Sequence, residues 1–227
     1  MTAKPEPRRL LIWDLPLRLF HWALALLFGV MWWTGEERML DLHRAAGYSV
    51  IALLLFRIVW GFAGSSTARF GNFVRSPRSV GNYVRNEMLL RGGARKAGHN
   101  PLGGWSVLVM LALLLIQCLL GLFAVDIDGL ESGPFSYLVE FDTGRVAAEL
   151  HHIIFDALVV IVALHILAVI FYLVWRRQNL VLPMISGHSP SISEDAGVTA
   201  RSFGFGFAIL AGCGLAVFAV VELFGRA

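Results

Sequence analysis

Five long apolar runs, at residues 17–34, 43–63, 101–125, 147–175 and 203–224, fix what this chain can become. A helix needs about 20 predominantly apolar residues to cross a bilayer, and these runs have that length. Inside lipid every backbone polar group must be paired within the fold, so the runs read as spanning helices. Their unbroken apolar character is not the alternation of a membrane β-barrel. Composition agrees, with 57% hydrophobic residues, 15% charged and a mean hydropathy of +0.68, where a soluble domain carries about 25% charged residues. A soluble enzyme, a disordered chain and a disulfide scaffold are thereby excluded. Cys118 and Cys213 both lie within apolar runs, so no disulfide framework or Cys-rich metal site is indicated. The expected fold is an all-α integral membrane protein. The first run reads as a retained span, since no small-residue cleavage site follows it. Asn100 ahead of Pro101, and Asp14 a turn before the first run, are expected helix caps.

The connections sort by charge. Between the second and third runs lie Arg69, Arg75, Arg78, Arg85, Arg91, Arg95 and Lys96 against Glu87. Between the third and fourth lie Asp126, Asp128, Glu131, Glu140, Asp142 and Glu149 against Arg145. The positive-inside rule makes the basic connection cytoplasmic, with the N-terminus inside and the C-terminus outside. Topology accounts for the basic segment, and no nucleic-acid-binding module accompanies it. The stretch SPSISEDAGVTA ahead of the fifth run is polar and reads as a tether.

Seven histidines carry the strongest functional signal. His21 lies in the first run, His43 opens the second, His151 and His152 open the fourth, and His165 lies further along it. Ionisable residues within spans are costly and mark function. His151 and His165 are separated by 14 residues, about 21 Å of helical rise, and differ by only about 40° in direction. His152 points to the far side. His43 and His151 both stand at outward helix starts, whereas His21 and His165 both fall in the inner half. Two His–His pairs stacked at two depths suit two haems, because haem iron accepts imidazole on both axial faces. Zinc would ask for four ligands converging on one centre.

At these residues the chain resembles the bacterial cytochrome b561 family, which includes cytochrome b subunits of nickel–iron hydrogenases. The matching elements are LRLFHW in the first run, LHRAAGY and FRIVWGF in the second, GHNPLGGW before the third, and HH with LHILAV in the fourth. They occur in order across about residues 10–175. The resemblance implies a four-helix transmembrane bundle holding two b-type haems, with axial ligands His21, His43, His151 and His165 paired as His21 with His165 and His43 with His151. It also implies electron transfer between a quinone and a partner redox protein in the bacterial inner membrane. That partner would be a cytochrome c, a hydrogenase or another dehydrogenase; a stand-alone superoxide:quinone oxidoreductase is an alternative. The short GEERMLDL connection and the fifth span depart from the hydrogenase pattern. The expected organisation is a di-haem core at 1–176, a polar cytoplasmic linker at 177–202 and an additional span at 203–227.

Secondary residues follow from the same helical arithmetic. Arg57 shares the face of His43, about 21 Å further in, and is expected to contact inner-haem propionates, with snorkelling from an inner helix end as the alternative. Arg18 is a weaker candidate for the same role, and Arg44 is a candidate on the outer side. His152 and Asp156, four apart, are expected to form a local pair, with proton relay as the alternative. His99 reads as a loop residue ahead of a helix cap, or as an inner-surface site residue. His188 is expected in solvent. Tryptophans near the helix ends suit interface anchoring against membrane lipid. The small-residue seam Ala208, Gly212 and Ala216 suits close packing on the core, on a second copy or on another subunit. Two readings from other classes are a non-haem membrane anchor and a metal transporter.

Overall fold

The computed structural model describes residues 9–89, 98–127, 131–190 and 199–225. Arg91, Arg95, Lys96, Asp128 and most of the polar tether lie outside these residues. The order is β1 (Arg9–Leu11), α1 (Leu15–Glu36), α2 (Leu40–Ala63), α3 (Phe70–Phe73), α4 (Pro77–Asn86), α5 (Pro101–Phe123), α6 (Phe141–Val174), α7 (Val181–Ser186), β2 (His188–Pro190) and α8 (Phe203–Phe224). Helices α1, α2, α5, α6 and α8 are long and apolar enough to cross a membrane. The protein is an all-α, multi-pass membrane protein, as the runs require.

Both expected caps are present. Asp14 Oδ1 accepts from the Leu17 amide at 2.8 Å, and Asn100 Oδ1 accepts from the Gly103 amide at 2.8 Å. Helix α6 begins at Phe141, ahead of its apolar run. Asp142 in its first turn complements the positive helix end, so helical structure outlasts the hydrophobic stretch. At 34 residues α6 is about 50 Å long, well beyond the hydrocarbon core.

By contact the chain divides into two compact units. One comprises Met1–Leu19, Val59–Val107 and Leu164–Gly206, the other Phe20–Ile58, Leu108–Ala163 and Phe207–Ala227. In the first unit β1 pairs antiparallel with β2, Leu11 opposite His188. The stretch expected as a polar linker, 177–202, therefore holds α7 and β2. Its physical anchors are main-chain: the Ile12 and Trp13 amides both donate to Gly187 O, at 2.8 and 3.2 Å. Trp60, wholly buried, donates Nε1–H to Asp14 Oδ2 at 3.1 Å. Asp14 thus caps α1 and also ties it to the end of α2. Asp14→Ala should cost about 1–2 kcal/mol and lower the thermal midpoint in detergent. Asp14→Asn, which keeps the cap alone, should fall between that variant and the wild type.

The basic connection carries α3 and α4. Ser76 caps α4, whose Tyr83 is buried and shares a hydroxyl–hydroxyl hydrogen bond with Tyr172 of α6. Asn100 Nδ2 donates to the same Tyr172 oxygen at 2.8 Å. Trp105 and Trp175 donate their indole N–H groups to Arg75 O and Leu89 O, at 2.8 and 3.1 Å. Arg78 and Arg85, seven apart on α4, lie opposite Tyr83 and are exposed.

In the second unit Arg38 takes a left-handed conformation (φ 54°), and the Met39 amide bonds Thr34 O at 2.9 Å. This tight reversal returns the start of α2 against the end of α1. Tyr137 OH reaches Phe224 O of α8 at 2.6 Å. The seam of α8 turns outward: Ala208, Gly212 and Ala216 are exposed, and no atom lies within 4 Å of where a Gly212 Cβ would sit.

Candidate functional site

The reversal after α1 places His43, three residues into α2, beside the last turns of α1. His43 Nδ1 lies 3.1 Å from Met31 O, which can only accept, so the ring donates there. Thr34 Oγ1 lies 3.2 Å from the same nitrogen, while the Thr34 hydroxyl donates to Val30 O at 2.8 Å. On α6, His151 Nδ1–H donates to Gln117 O of α5 at 2.9 Å. The two rings face each other with centroids 6.3 Å apart and planes at 70°. Each is half-buried.

The ring separation matches that of a metal held between two imidazoles. With about 2 Å per metal–imidazole bond and about 1 Å from each nitrogen to its ring centre, a linear pair puts the ring centres about 6 Å apart. Both Nδ1 atoms are committed as donors, which leaves Nε2 of each ring as the basic nitrogen. Among the described residues, no group of three or more His, Cys, Asp or Glu gathers as a metal cage. The donor set is the two-nitrogen kind that suits haem. Phe155, one turn on from His151, stacks on Phe28 at 6.1 Å and meets Trp32 edge-on at 5.9 Å, walling the same level of α1 and α6 with aromatic surface.

The other candidates fall as follows. His21 on α1 belongs to this unit and makes an edge-to-face contact with Trp22, 5.0 Å between centroids. His165 belongs to the other unit, half-buried on α6. His151, Leu158, His165 and Tyr172 recur every seven residues on one helix face, and Leu158 and Tyr172 are both buried. Arg57 is 2% exposed, a charge deep inside α2. Arg18 donates to Ile185 O of α7, so it braces two helices. Arg44 pairs with Asp41 at 2.7 Å and reaches Ser132 O at 3.4 Å. His152 and Asp156 are both exposed, and no hydrogen bond joins them. His99 lies between Trp13 and Phe73 in tilted ring contacts, at 4.8 and 4.7 Å between centroids. His188 is exposed.

Sequence reasoning missed Met31, Thr34 and Gln117. The roles of Met31 and Gln117 are main-chain and leave no trace in residue type. Gln117 did carry a signal, as a carboxamide within an apolar run; its side chain is buried, and Oε1 has no hydrogen-bond partner among the described residues.

A family model described as prokaryotic cytochrome b561 matches residues 12–187. The chain belongs to the prokaryotic cytochrome b561 family. Two curated relatives carry the name probable Ni/Fe-hydrogenase B-type cytochrome subunit. That of Azotobacter chroococcum mcd 1 is 27% identical over 207 residues, covering 78% of this chain and 86% of the relative. That of Rhizobium leguminosarum bv. viciae is 24% identical over 216 residues, covering 80% and 89%. No solved structure matches. As a cytochrome b561 the protein is a membrane-embedded b-type cytochrome of electron transfer. The matched region runs from the residue after β1 to the residue before β2, so α1, α2, α5 and α6 all lie inside it, and α8 stands outside.

Proposed function

We propose that this cytochrome b561 holds two haems and passes electrons between a quinone and a partner redox protein across the bacterial inner membrane. His43 and His151 hold one haem, and His21 and His165 the other. The observation that carries the reading is the 6.3 Å separation of the His43 and His151 rings, each with Nδ1 tied to a main-chain carbonyl. The pairing of His21 with His165 rests on the family resemblance and on the 14-residue spacing along α6. Held by a pair of imidazoles, a b-type haem would supply single-electron exchange without a site for oxygen.

The protein's own residues supply orientation and exclusion. The carbonyls of Met31 and Gln117 fix the ligand tautomers, and Phe28, Trp32 and Phe155 set aromatic surface at the level of His151. Arg57 brings a buried positive charge suited to a propionate. The basic connection sets the cytoplasmic side and leaves the His43–His151 end outward. Residues 1–176 form the four-helix core and 203–227 an added span. The names of the relatives favour a hydrogenase or a related dehydrogenase as partner.

A reduced-minus-oxidised spectrum of the purified protein, with haem extraction and protein quantitation, tests the reading. Two haems b per chain are expected. A colourless protein, or one retaining both haems after His165→Ala, would sink it. Co-purification from native membranes identifies the partner: a hydrogenase or dehydrogenase subunit is expected, and a cytochrome c would redirect the partner assignment.

A further inference from the structure

The two rings of the outer pair are held by one device used twice. Met31 O accepts from His43, and Gly35 stands four residues beyond Met31; Gln117 O accepts from His151, and Gly121 stands four residues beyond Gln117. In an α-helix the carbonyl of residue i already accepts from the amide of i+4. The Cβ of i+4 tilts back toward the N-terminus, over the turn that carries this carbonyl. A side chain there obstructs a second donor arriving from the side, and glycine removes the obstruction. The clearances show how much room is needed. A Cβ on Gly121 would lie 2.9 Å from His151 Cε1 and 3.3 Å from its Nδ1. A Cβ on Gly35 would lie 3.5 Å from His43 Cε1 and 3.6 Å from its Nδ1. Glycine is a poor residue for a helix interior, so propensity does not explain Gly121 within α5.

We propose that Met31–Gly35 and Gln117–Gly121 are paired carbonyl–glycine cradles that position the two ligand imidazoles and tune the haem between them. The proposal rests on the reading of His43 and His151 as haem ligands. Each cradle holds its ring as the Nδ1–H tautomer and presents Nε2 to the iron. Donation from Nδ1–H to a carbonyl makes the imidazole a more basic ligand, which favours the oxidised state. The cradles are unequal. Thr34 Oγ1 gives His43 a second acceptor and the Gly35 clearance is ordinary, whereas His151 has Gln117 O alone and no space to spare. The His151 side therefore depends on its glycine, and the His43 side much less.

The test is a potentiometric titration of the full-length protein in nanodiscs, with low-spin EPR spectra of the oxidised state, for wild type, Gly121→Ala, Gly35→Ala and Thr34→Val. Alanine is the better helix former, so a loss in Gly121→Ala is not a loss of helix. Gly121→Ala should raise the reduced-to-oxidised ratio of one haem about tenfold at its wild-type midpoint, ~59 mV for a one-electron couple. The EPR signal of that haem should shift and the other haem should titrate unchanged. Gly35→Ala should move the same haem less than about threefold, in keeping with its ordinary clearance. If Gly121→Ala does not accumulate, Thr34→Val is expected to raise the same haem's ratio alone, by removing an acceptor without adding bulk. Wild-type behaviour in Gly121→Ala, or equal movement of both haems, overturns the cradles; in the fallback case, so does an unshifted Thr34→Val. Full haem retention in His151→Ala overturns the ligand reading instead, and that variant is measured before the glycine variants are titrated.

Discussion

His151→Ala is expected to keep only one of the two haems proposed for the chain, while its neighbour His152→Ala keeps both. The two residues are adjacent in sequence but about 100° apart around α6. His151 turns inward to face His43 at 6.3 Å, and His152 is exposed. Haem extraction from the purified His151 variant should therefore give about half the wild-type yield, with quinone-linked electron transfer reduced to background. The remaining centre would stand alone on a path where the two histidine levels of α6 are about 21 Å apart. If haem stays on His43 alone, its open axial position should make the spectrum sensitive to carbon monoxide. Two low-spin haems in the His151 variant would exclude the ligand assignment, as would equal losses in both variants.

Arg57 should give the second large effect, and here the haem affinity is diagnostic. It is a guanidinium at 2% exposure within α2. If its role were only structural, Arg57→Leu would leave the groups around the guanidinium without their charge partner and lower stability, with haem affinity unchanged. If it answers a propionate, Arg57→Leu should weaken retention of one haem about 10- to 100-fold, the range seen when a cofactor's supporting contacts are removed. That haem should also become harder to reduce, since a positive charge has left its surroundings. Arg57→Lys keeps the charge but not the planar fork, and should recover only part of the affinity. Haem titration into the apoprotein, together with a melting curve, separates the outcomes: affinity lost beyond any change in stability is expected, whereas lowered stability with unchanged affinity would remove Arg57 from the site.

The five spans were legible because length and apolarity set them directly, and their caps because Asp14 and Asn100 are the residue types that satisfy free amides. Even so, the apolar run at 147–175 understated α6, whose first turns are polar yet helical. The different faces of His151 and His152 were legible from the 3.6-residue period alone. Strands of three residues carry no readable period, and nothing near Leu10 announces a partner near Ser189, so β1–β2 was missed. The roles of Arg18 and Arg44 turned on carbonyls and a carboxylate that only the folded chain brings near. The cradles sit at the same limit. Their acceptors are main-chain atoms, identical for every residue, and the only mark they leave is a glycine in an otherwise favourable helix.

The ribbon of β1 and β2 also has a meaning in time. Its two strands lie roughly 180 residues apart in sequence, so the first is made long before the second exists. At roughly 5–20 residues per second of synthesis, β1 waits on the order of 10–40 s for its partner. Throughout that interval the first helices enter the membrane with their leading edge unfastened. The clasp closes only after the last helix of the family core has been made, so an early stop in translation should yield inserted helices that never lock.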